Sequence, residues 1–305
     1  MAEPVRVAAH AKVNLRLRVL ATESGGYHAL ETLFLRLALR DEVELAPGPP
    51  GIRLTVEEEP GPLAGAGRCG EAVPRGETNL CWRAAEAYHR AVGREPALDI
   101  LLRKRLPAGA GLGGGSADAA AVLRGLEIMT GEGPGAARLM ALAGELGSDV
   151  PFALSDAPAA LAWERGRRLL PLPAPPPRPI LILVPEFAVA TAEAYRWLDE
   201  DRGAAAGGDD GPGGAFLLPS ADRLASWEEL DGVSVNDFEA PVFAHHPALA
   251  EWKAELLEAG ARPALLSGSG SALFGVFQGE AERDAAAERF EGRREVAVLH
   301  TLGPA

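Results

Sequence analysis

The stretch Leu106-Pro-Ala-Gly-Ala-Gly-Leu-Gly-Gly-Gly-Ser-Ala-Asp-Ala-Ala-Ala121 is the most informative part of the chain. Five glycines fall within the seven residues 109–115, and a run of small helix-forming residues follows. Glycine adopts positive φ at little cost and lets the backbone approach a ligand closely. Ser116 and Asp118 stand where helices usually begin. A glycine loop that opens a helix presents N–H groups and a positive dipole end, so the stretch predicts an anion site, most often for phosphate.

The spacing of these glycines excludes the better-known phosphate loops. One or two glycines would be explained by a tight turn, but five at a helix start favour a phosphate loop. No Gly-Lys-Ser/Thr closes the loop, so it is not a Walker A motif. It matches G-x-G-x-x-G through Gly109, Gly111 and Gly114, yet residues 136–146 are predicted to form a helix where a Rossmann unit needs a second strand. The V-A-I-K strand of protein kinases is also absent.

The composition limits the partners of the protein. The chain has 305 residues and a net charge of −13, which argues against a nucleic-acid partner bound through a general basic surface. No run of about 18 apolar residues and no signal segment is found, so we expect a cytoplasmic protein without a membrane partner. Cys69 and Cys81 form no C-x-x-C motif and are expected to be reduced and structural.

Lysine is rare in this chain. Of the 30 basic Lys and Arg residues only Lys12, Lys104 and Lys253 are lysines. A lysine retained in such an arginine-rich chain is consistent with a position that needs a compact point charge, which arginine does not supply. Chance is the alternative for each lysine taken singly.

Several polar residues are open to two interpretations. Lys12 and Asn14 share one face of a predicted strand, so they are either solvated at a strand start or aimed together into a site. Tyr27 and His28 could stack on a heterocycle or form a surface turn. Asp149 precedes Pro151 and could simply cap a helix, although a helix start also favours the ionised carboxylate that a base requires.

Hydrophobic periodicity and turn residues predict alternating strands and helices. The predicted strands are 5–11, 12–20, 30–39, 41–45, 52–56, 98–106, two within 159–172, 180–184, 272–277 and 295–302. The predicted helices are 79–92 with Thr78 or Asn79 as N-cap, 116–130, 135–146, one starting near 149–151, 191–199, parts of 220–230 and 236–248, 247–259 and 280–290. The end of the chain, strand-helix-strand, suits a split α/β sandwich.

Three separated motifs occur in the order found in the GHMP kinases, a superfamily of small-molecule kinases that this chain resembles. They are Ala11-Lys-Val-Asn14, Pro107-Ala-Gly-Ala-Gly-Leu-Gly-Gly-Gly-Ser116 and Ser267-Gly-Ser-Gly270. Gly26-Tyr-His28 and Leu146-Gly-Ser-Asp-Val-Pro151 narrow the resemblance to the branch that phosphorylates a cytidine diphosphate derivative of methylerythritol for non-mevalonate isoprenoid synthesis. Mevalonate, galactose and homoserine kinases share the glycine loop but lack the Ala11-Lys-Val-Asn14 and Gly26-Tyr-His28 motifs.

The resemblance implies an α+β fold of two domains with the active site in the cleft between them. Residues 1–156 would form an ATP-binding half like domain 2 of ribosomal protein S5. Residues 157–305 would form a ferredoxin-like split α/β half that contributes to the substrate site. The boundary is expected between residues 155 and 178, and the protein is expected to be a monomer or a homodimer.

The resemblance also implies phosphoryl transfer from ATP, with Mg²⁺, to the 2-hydroxyl of a small-molecule acceptor. Asp149 would be the base or would orient the hydroxyl, and Lys12 would sit beside it as the second catalytic residue. The implied substrate-binding residues are Asn14, Tyr27, His28, Thr191, Tyr195, Gly268, Ser269 and Gly270. The implied nucleotide-binding residues are Lys104, Pro107, Gly109, Gly111, Leu112, Gly113, Gly114, Gly115 and Ser116.

Three departures from the family pattern concern the details of the site. Gly25 replaces an aspartate before Gly26-Tyr-His28, and Ala117 replaces a second serine after the glycines. The acidic Mg²⁺ ligand of other GHMP kinases has no evident counterpart, so the metal ligands are unassigned. The competing functions are a different small-molecule kinase on the same fold, a non-catalytic binder that keeps the glycine loop, and, less favoured, a nicotinamide oxidoreductase.

Overall fold

The computed structural model describes residues 3–22, 28–58, 72–131, 133–164, 166, 168–205 and 219–305. Its strands are β1 (Val5–Thr22), β2 (His28–Pro47), β3 (Gly51–Glu58), β4 (Ala97–Lys104), β5 (Ala159–Trp163), β6 (Arg168–Leu172), β7 (Arg178–Pro185), β8 (Val235–Asn236), β9 (Ala264–Leu266), β10 (Leu273–Val276) and β11 (Val296–Gly303). Its α-helices are α1 (Leu80–Val92), α2 (Gly114–Thr130), α3 (Ala136–Leu146), α4 (Val150–Leu154), α5 (Thr191–Ala205), α6 (Trp227–Val233), α7 (Glu239–His245), α8 (Pro247–Glu258) and α9 (Glu280–Glu288).

The first sheet is built around two long antiparallel strands. Its order is β3-β4-β2-β1-β8, and the β5–β6 hairpin also pairs with β2. The sequence predicts two shorter strands in place of β1 and two in place of β2, but each is continuous. Register shifts between His10 and Lys12 and between Asn14 and Arg16 interrupt the β1–β2 ladder without ending it. Such bulges re-aim side chains near sites, here beside Lys12 and Asn14.

Helices α1 and α2 pack on one face of this sheet, and α3 packs against both of them. Nine residues of α2 are buried, and most of them are alanine or glycine. Small side chains let the helix lie close to the sheet: a Cβ added to Gly125 would lie 2.6 Å from Leu45 Cδ1. Burial of each large apolar side chain beneath these helices, such as Leu45 and Tyr88, contributes about 1.5–3 kcal/mol. The core therefore holds the start of α2, and with it the glycine loop, in a fixed position.

The second sheet is antiparallel and has the order β11-β7-β10-β9. Its central strand β7 is buried over seven of its eight residues, as expected for the continuous apolar run at 180–184. Residues of β1 and β2 join β7 and β10 in one hydrophobic cluster that includes Val13, Leu33, Ile182 and Phe274. The two halves of the chain thus share one hydrophobic core. The predicted two-part α+β fold class is confirmed.

The strands of the first sheet extend to β6, and those of the second sheet begin with β7. The β5–β6 hairpin pairs with β2 through contacts such as Leu33 with Leu161, so it belongs to the first sheet. The first strand of the second sheet begins at Arg178. The domain boundary, expected between residues 155 and 178, stays a prediction. Strand β8, from the second half of the chain, returns to pair with β1.

The predicted start of α2 is wrong. Helix α2 begins two residues before Ser116, with Gly113 as N-cap and no capping side chain. Asp118 lies inside the helix and is buried, because it is paired with a lysine described below. Arg16 of β1 is also buried, and its Nε donates to Glu31 at 2.7 Å and its Nη1 to the Val233 carbonyl at 2.9 Å.

The predicted cap of α1 and the free thiol of Cys81 are confirmed. Asn79 caps α1, and its Oδ1 accepts a hydrogen bond from the Cys81 N–H at 2.8 Å. Cys81 is a free, buried cysteine, and burial, with the Asp118 carboxylate nearby, raises the pKa of its thiol well above its usual value. A thiol of this kind is structural rather than reactive. Cys69 lies outside the described residues. Among the residues that are described, no helix has the length and apolar character needed to span a bilayer.

Candidate active site

A cavity of about 950 Å³ opens where the glycine loop, the bulged part of β1 and the start of α5 meet. Its volume is within the range of small-molecule sites. The residues that line it are Lys12, Asn14, Leu17, His28, Leu30, Thr32, Phe34, Gly111, Gly113, Ser148, Asp149, Thr191, Ala192, Tyr195, Arg196, Asp199, Glu200, Phe238, Gly268 and Ser269. Motifs from both halves of the chain therefore reach one cavity.

Lys12 is the central cation of this cavity. Its side chain is buried, and its ammonium donates to Asn14 Oδ1 at 2.8 Å and to the Gly111 carbonyl at 3.1 Å. Its third contact is Asp149 Oδ2 at 3.2 Å. An ammonium has three N–H donors, so these three acceptors hold it in one place. Lys12 and Asn14 share a strand face as the alternation predicts, and both line the cavity.

Asp149 stands at the start of α4 but does not cap it. The residue occupies the N-cap position, and its side chain makes no capping hydrogen bond. The carboxylate instead faces the cavity, paired with Lys12 and partly exposed. Of the two interpretations of Asp149, the helix cap is therefore wrong. The carboxylate is accessible to a ligand hydroxyl and lies beside a fixed cation, as a base or an orienting group requires.

The glycine loop approaches its neighbours too closely for any other residue. Gly111 has φ +80°, and a Cβ there would lie 2.1 Å from the Ser267 carbonyl oxygen. Gly113 has φ +72°, and a Cβ there would lie 2.9 Å from Lys12 Cγ. Both conformations favour glycine. The loop is thereby pressed against the last glycine motif on one side and against the Lys12 side chain on the other.

Replacement of Gly111 by alanine tests this close approach. We expect Gly111→Ala to lower kcat/KM by about 100-fold, because the added methyl group must separate two backbone segments that shape the site. Steady-state kinetics measures the effect, and Gly131→Ala is the matched control. Gly131 also has positive φ, +64°, but a Cβ there meets nothing within 4 Å. Equal losses in both variants would mean that backbone strain, not contact with Ser267, is responsible.

The loop formed by residues 267–271 is held by a residue that the sequence analysis did not single out. Asn236, from the two-residue strand β8, is buried and donates to the carbonyls of Leu266 at 2.7 Å and Gly268 at 2.8 Å. Ser267 Oγ donates to the Gly111 carbonyl at 2.9 Å, which ties this loop to the glycine loop. A lone asparagine in a region of mixed polarity offers no sequence pattern, so only the fold identifies it. Thr32 was also missed, and it accepts from Asn14 Nδ2 at 2.7 Å.

Aromatic and polar side chains form the far end of the cavity. His28 stacks on Tyr195 with ring centroids 4.7 Å apart, and its Nε2 lies 2.8 Å from Asp199 Oδ1. Burial, together with the carboxylates of Asp149 and Asp199, raises the pKa of the Tyr195 hydroxyl to about 12, so it is neutral at physiological pH. This end offers a flat surface and hydrogen-bonding groups to a heterocycle. Tyr27 lies outside the described residues.

The substrate-binding residues predicted from the last motif also reach this cavity. Thr191 begins α5, and its hydroxyl lies 3.0 Å from that of Ser269. Gly268 and Ser269 line the cavity, whereas Gly270 packs on Leu266. Two segments from the second half of the chain therefore present hydroxyl groups and a helix start to the cavity that Lys12 also lines.

Lys104 lies beneath the glycine loop rather than in the cavity. Its buried ammonium donates to Asp41 Oδ2 and, at 2.8 Å, to Asp118 Oδ2. Burial alone lowers the pKa of this ammonium, but the two carboxylates outweigh it and raise the pKa overall. Burial raises the pKa of the Asp118 carboxyl above its usual value, although Lys104 opposes the shift. This cluster joins β2, β4 and α2 directly behind Gly114, and a nucleotide contact by Lys104 stays a prediction.

The remaining residues predicted to bind nucleotide surround the start of α2. Gly111 and Gly113 line the cavity, Leu112 is buried, and Gly115 and Ser116 lie in the first turn of the helix. Asp41 Oδ1 accepts the Leu106 N–H at 2.8 Å, so the loop is anchored just before Pro107. Gly109 lies near Ala188 of the second half. The loop thus has a rigid base and a helix N-terminus that no side chain caps.

The described residues provide no cage of protein ligands for a metal ion. They contain no group of three His, Cys, Asp or Glu side chains that could hold one. Asp149 is paired with Lys12, and Asp41 and Asp118 are paired with Lys104. This donor set fits Mg²⁺ that is held mainly by substrate phosphates and water, because Mg²⁺ in phosphoryl-transfer sites often has few protein ligands.

Comparison with known proteins agrees with the geometry of the site. Residues 79–162 match the family described as the GHMP kinases N-terminal domain, and residues 215–294 match the GHMP kinases C-terminal family. A solved homoserine kinase from Cytophaga hutchinsonii superposes with a TM-score of 0.68 at 18% identity, covering 99% of this chain and 95% of that chain. At that identity the likeness shows a shared fold.

Relatives with higher sequence identity indicate which family of GHMP kinases the chain belongs to. A 4-diphosphocytidyl-2-C-methyl-D-erythritol kinase from Geobacter sp. (strain M21) is 40% identical over 287 residues, covering 93% of this chain and 94% of that protein. The enzyme of that name from Anaeromyxobacter sp. (strain K) is 42% identical over 290 residues, covering 93% and 84%. A crystal structure of 4-(cytidine 5'-diphospho)-2C-methyl-D-erythritol kinase matches with a TM-score of 0.75 at 35% identity, covering 98% and 99%. The chain is a small-molecule kinase of the GHMP kinases and belongs to their 4-diphosphocytidyl-2-C-methyl-D-erythritol kinase family.

Proposed function

We propose that this protein transfers the γ-phosphoryl group of ATP to the 2-hydroxyl of 4-diphosphocytidyl-2-C-methyl-D-erythritol. The products are the 2-phosphate and ADP, in the non-mevalonate route to isoprenoid precursors. The observation that carries the proposal is the Lys12–Asp149 pair, 3.2 Å apart, in a cavity between the glycine loop and the His28–Tyr195 stack. The names of the relatives support the identity of the acceptor.

The proposed reaction begins with the acceptor hydroxyl beside Asp149. The hydroxyl oxygen forms a bond to the γ-phosphorus as the bond from that phosphorus to the β–γ bridging oxygen breaks. The hydroxyl proton passes to Asp149, either early, as to a base, or late, with the carboxylate mainly orienting the oxygen. Lys12 holds the carboxylate in place and offsets negative charge on the transferring group, and Asn14, bonded to Lys12, positions the acceptor.

The glycine loop is the proposed site of the ATP phosphates. The N–H groups and positive dipole end at the start of α2 favour an anion there. The residues assigned to this role are Pro107, Gly109, Gly111, Leu112, Gly113, Gly114, Gly115 and Ser116, with Lys104 supporting the loop from behind. When bound, Mg²⁺ would neutralise charge on the phosphate oxygens, and no group of three acidic, His or Cys side chains among the described residues is available to hold it.

The cytidine end of the acceptor is proposed to occupy the aromatic end of the cavity. Tyr195 stacks on the base, while Tyr27 and His28 read its polar edge. The diphosphate lies near Thr191 and the loop Gly268, Ser269 and Gly270, where hydroxyl groups and the start of α5 favour an anion. The acceptor would thereby span the cavity from Tyr195 to Asp149.

Removal of the aromatic ring at Tyr195 should weaken cytidine binding. We expect Tyr195→Ala to raise the KM for the cytidine substrate by about 10- to 100-fold, because stacking on a base contributes about 1–3 kcal/mol. The KM for ATP should stay within twofold. Tyr195→Phe is the matched control, since it keeps the ring and should keep a nearly normal KM. An unchanged KM in Tyr195→Ala would remove this residue from the base site.

The direct test of the function is ADP release from Mg-ATP with four acceptors compared in parallel. These acceptors are 4-diphosphocytidyl-methylerythritol, mevalonate, homoserine and galactose. Strong turnover with the cytidine compound alone is expected. Turnover with mevalonate, homoserine or galactose would be compatible with the fold and with the role of the glycine loop. It would overturn the roles of Tyr27, His28 and Tyr195. Absence of turnover with all four would count against the proposal, and ATP binding would then separate a binder from a kinase with another acceptor.

A further inference from the structure

The β5–β6 hairpin touches the segment that carries Asp149. Gly166, which lies between β5 and β6, is buried and has φ +74°. A Cβ there would lie 1.8 Å from the carbonyl oxygen and 2.8 Å from the carbonyl carbon of Ser148. These are backbone atoms, so rotation of a side chain would not relieve the contact. The turn of the hairpin and the residue before Asp149 are therefore in direct backbone contact.

The other side of this segment is held by separate contacts. Val150 and Phe152 of α4 are buried, and Phe152 stacks on Phe34 with ring centroids 4.8 Å apart. At the end of α4, Arg124 Nη2 donates to the Leu154 carbonyl at 2.7 Å. Asp149 thus lies between an anchored helix on one side and the hairpin contact at Ser148 on the other.

We propose that Gly166 is a positioning residue for Asp149, acting through the backbone of Ser148. The inference rests on the proposed role of Asp149 in catalysis. Any side chain at position 166 would require Ser148 or the hairpin turn to shift by about 1 Å or more, because non-bonded carbon and oxygen atoms do not approach so closely. Ser148 is bonded directly to Asp149, so a shift of Ser148 moves Asp149 and its 3.2 Å contact with Lys12. A displacement of this size is enough to reduce catalysis strongly.

The experiment compares substitutions at position 166 with a matched control. Gly166→Ala adds a methyl group, and Gly166→Asn adds a side chain that tolerates left-handed backbone. Gly93→Ala is the control, because Gly93 also has positive φ, +65°, and a Cβ there meets nothing within 4 Å. The measurements are kcat, the KM for ATP, the KM for the cytidine substrate, ATP affinity by calorimetry and Tm. Turnover is normalised to ATP-binding sites, so that only folded enzyme is counted.

We expect both Gly166 variants to lose 10- to 100-fold in kcat while both KM values stay within about twofold. Gly93→Ala should keep its kcat at a comparable Tm. The inference is overturned if either Gly166 variant keeps its kcat, if Gly93→Ala loses as much, or if the loss appears in KM instead. Wild-type enzyme and Asp149→Asn are measured in parallel. An inactive wild type would instead reject the proposed function, and an active Asp149→Asn would reject the catalytic role of Asp149 on which the inference rests, so these failures are distinguishable.

Discussion

Asp149→Asn is expected to lower kcat by about 10²–10⁴-fold while leaving the KM for ATP and for the cytidine substrate within about threefold. The amide has nearly the same shape as the carboxylate but cannot take up the proton of the acceptor hydroxyl. It also lacks the negative charge that pairs with Lys12 at 3.2 Å. A loss in kcat without a change in binding is the mark of an interaction made mainly in the transition state. Steady-state and single-turnover kinetics measure the effect.

Asp156→Asn is the control for this substitution. Asp156 lies seven residues further along the chain and pairs at the surface with Arg124, with 89% of its own side chain exposed. Loss of an exposed ion pair changes stability by about 0–1 kcal/mol, so activity and Tm should stay near wild type. If Asp149→Asn keeps turnover within about tenfold of wild type, its assignment as base or orienting group is wrong.

Lys12→Met is expected to lower kcat by about 10²–10³-fold, which corresponds to about 3–4 kcal/mol of transition-state stabilisation. Methionine retains an unbranched apolar chain but cannot donate to Asn14, Gly111 and Asp149 as the ammonium does. The transferring group would lose a fixed positive charge, and the Asp149 carboxylate would lose its partner. Kinetics with both substrates and a thermal melt separate the loss of catalysis from a loss of stability.

Lys253→Met and Lys12→Arg test whether the effect belongs to a compact cation at this position. Lys253 forms an ion pair with Glu239 at 2.6 Å and is not among the cavity residues, so its loss should leave kcat within about twofold. Lys12→Arg keeps the charge, but a planar guanidinium does not place three donors as an ammonium does. We therefore expect activity of this variant well below wild type. Full activity would contradict the need for a point charge.

The three lysines show how much the amino-acid composition can predict about the site. Lys12 is central to the site, which agrees with the inference that a lysine retained in an arginine-rich chain serves as a compact point charge. Lys104 supports the glycine loop from a buried cluster with Asp41 and Asp118. Lys253 pairs with Glu239 on α7. All three therefore make ion pairs, and composition alone did not distinguish the one that faces the cavity. That distinction required the register of β1 against the glycine loop.

The sequence by itself determined the fold class, the order of the three motifs and most of the elements. Periodicity and turn residues are local properties, so the sequence could predict several elements. These are α1 with its Asn79 cap, the two strands within 159–172 and the buried strand at 180–184. The pairing of Lys12 with Asn14 was predictable too, because side chains two residues apart share a strand face.

Only the tertiary structure decided which distant residues share the cavity. Asn236 holds the loop at 267–271, Asp41 and Asp118 enclose Lys104, and Gly166 touches the backbone before Asp149. Each contact joins residues far apart in the chain or is set by a backbone approach that carries no local pattern. The helix start at Gly114 was missed for a related reason: Asp118 is held inside by a buried lysine, and its capping propensity is a weaker, local preference. Long-range packing overrides such preferences, because burial and charge pairing involve larger energies than the intrinsic tendency of one residue.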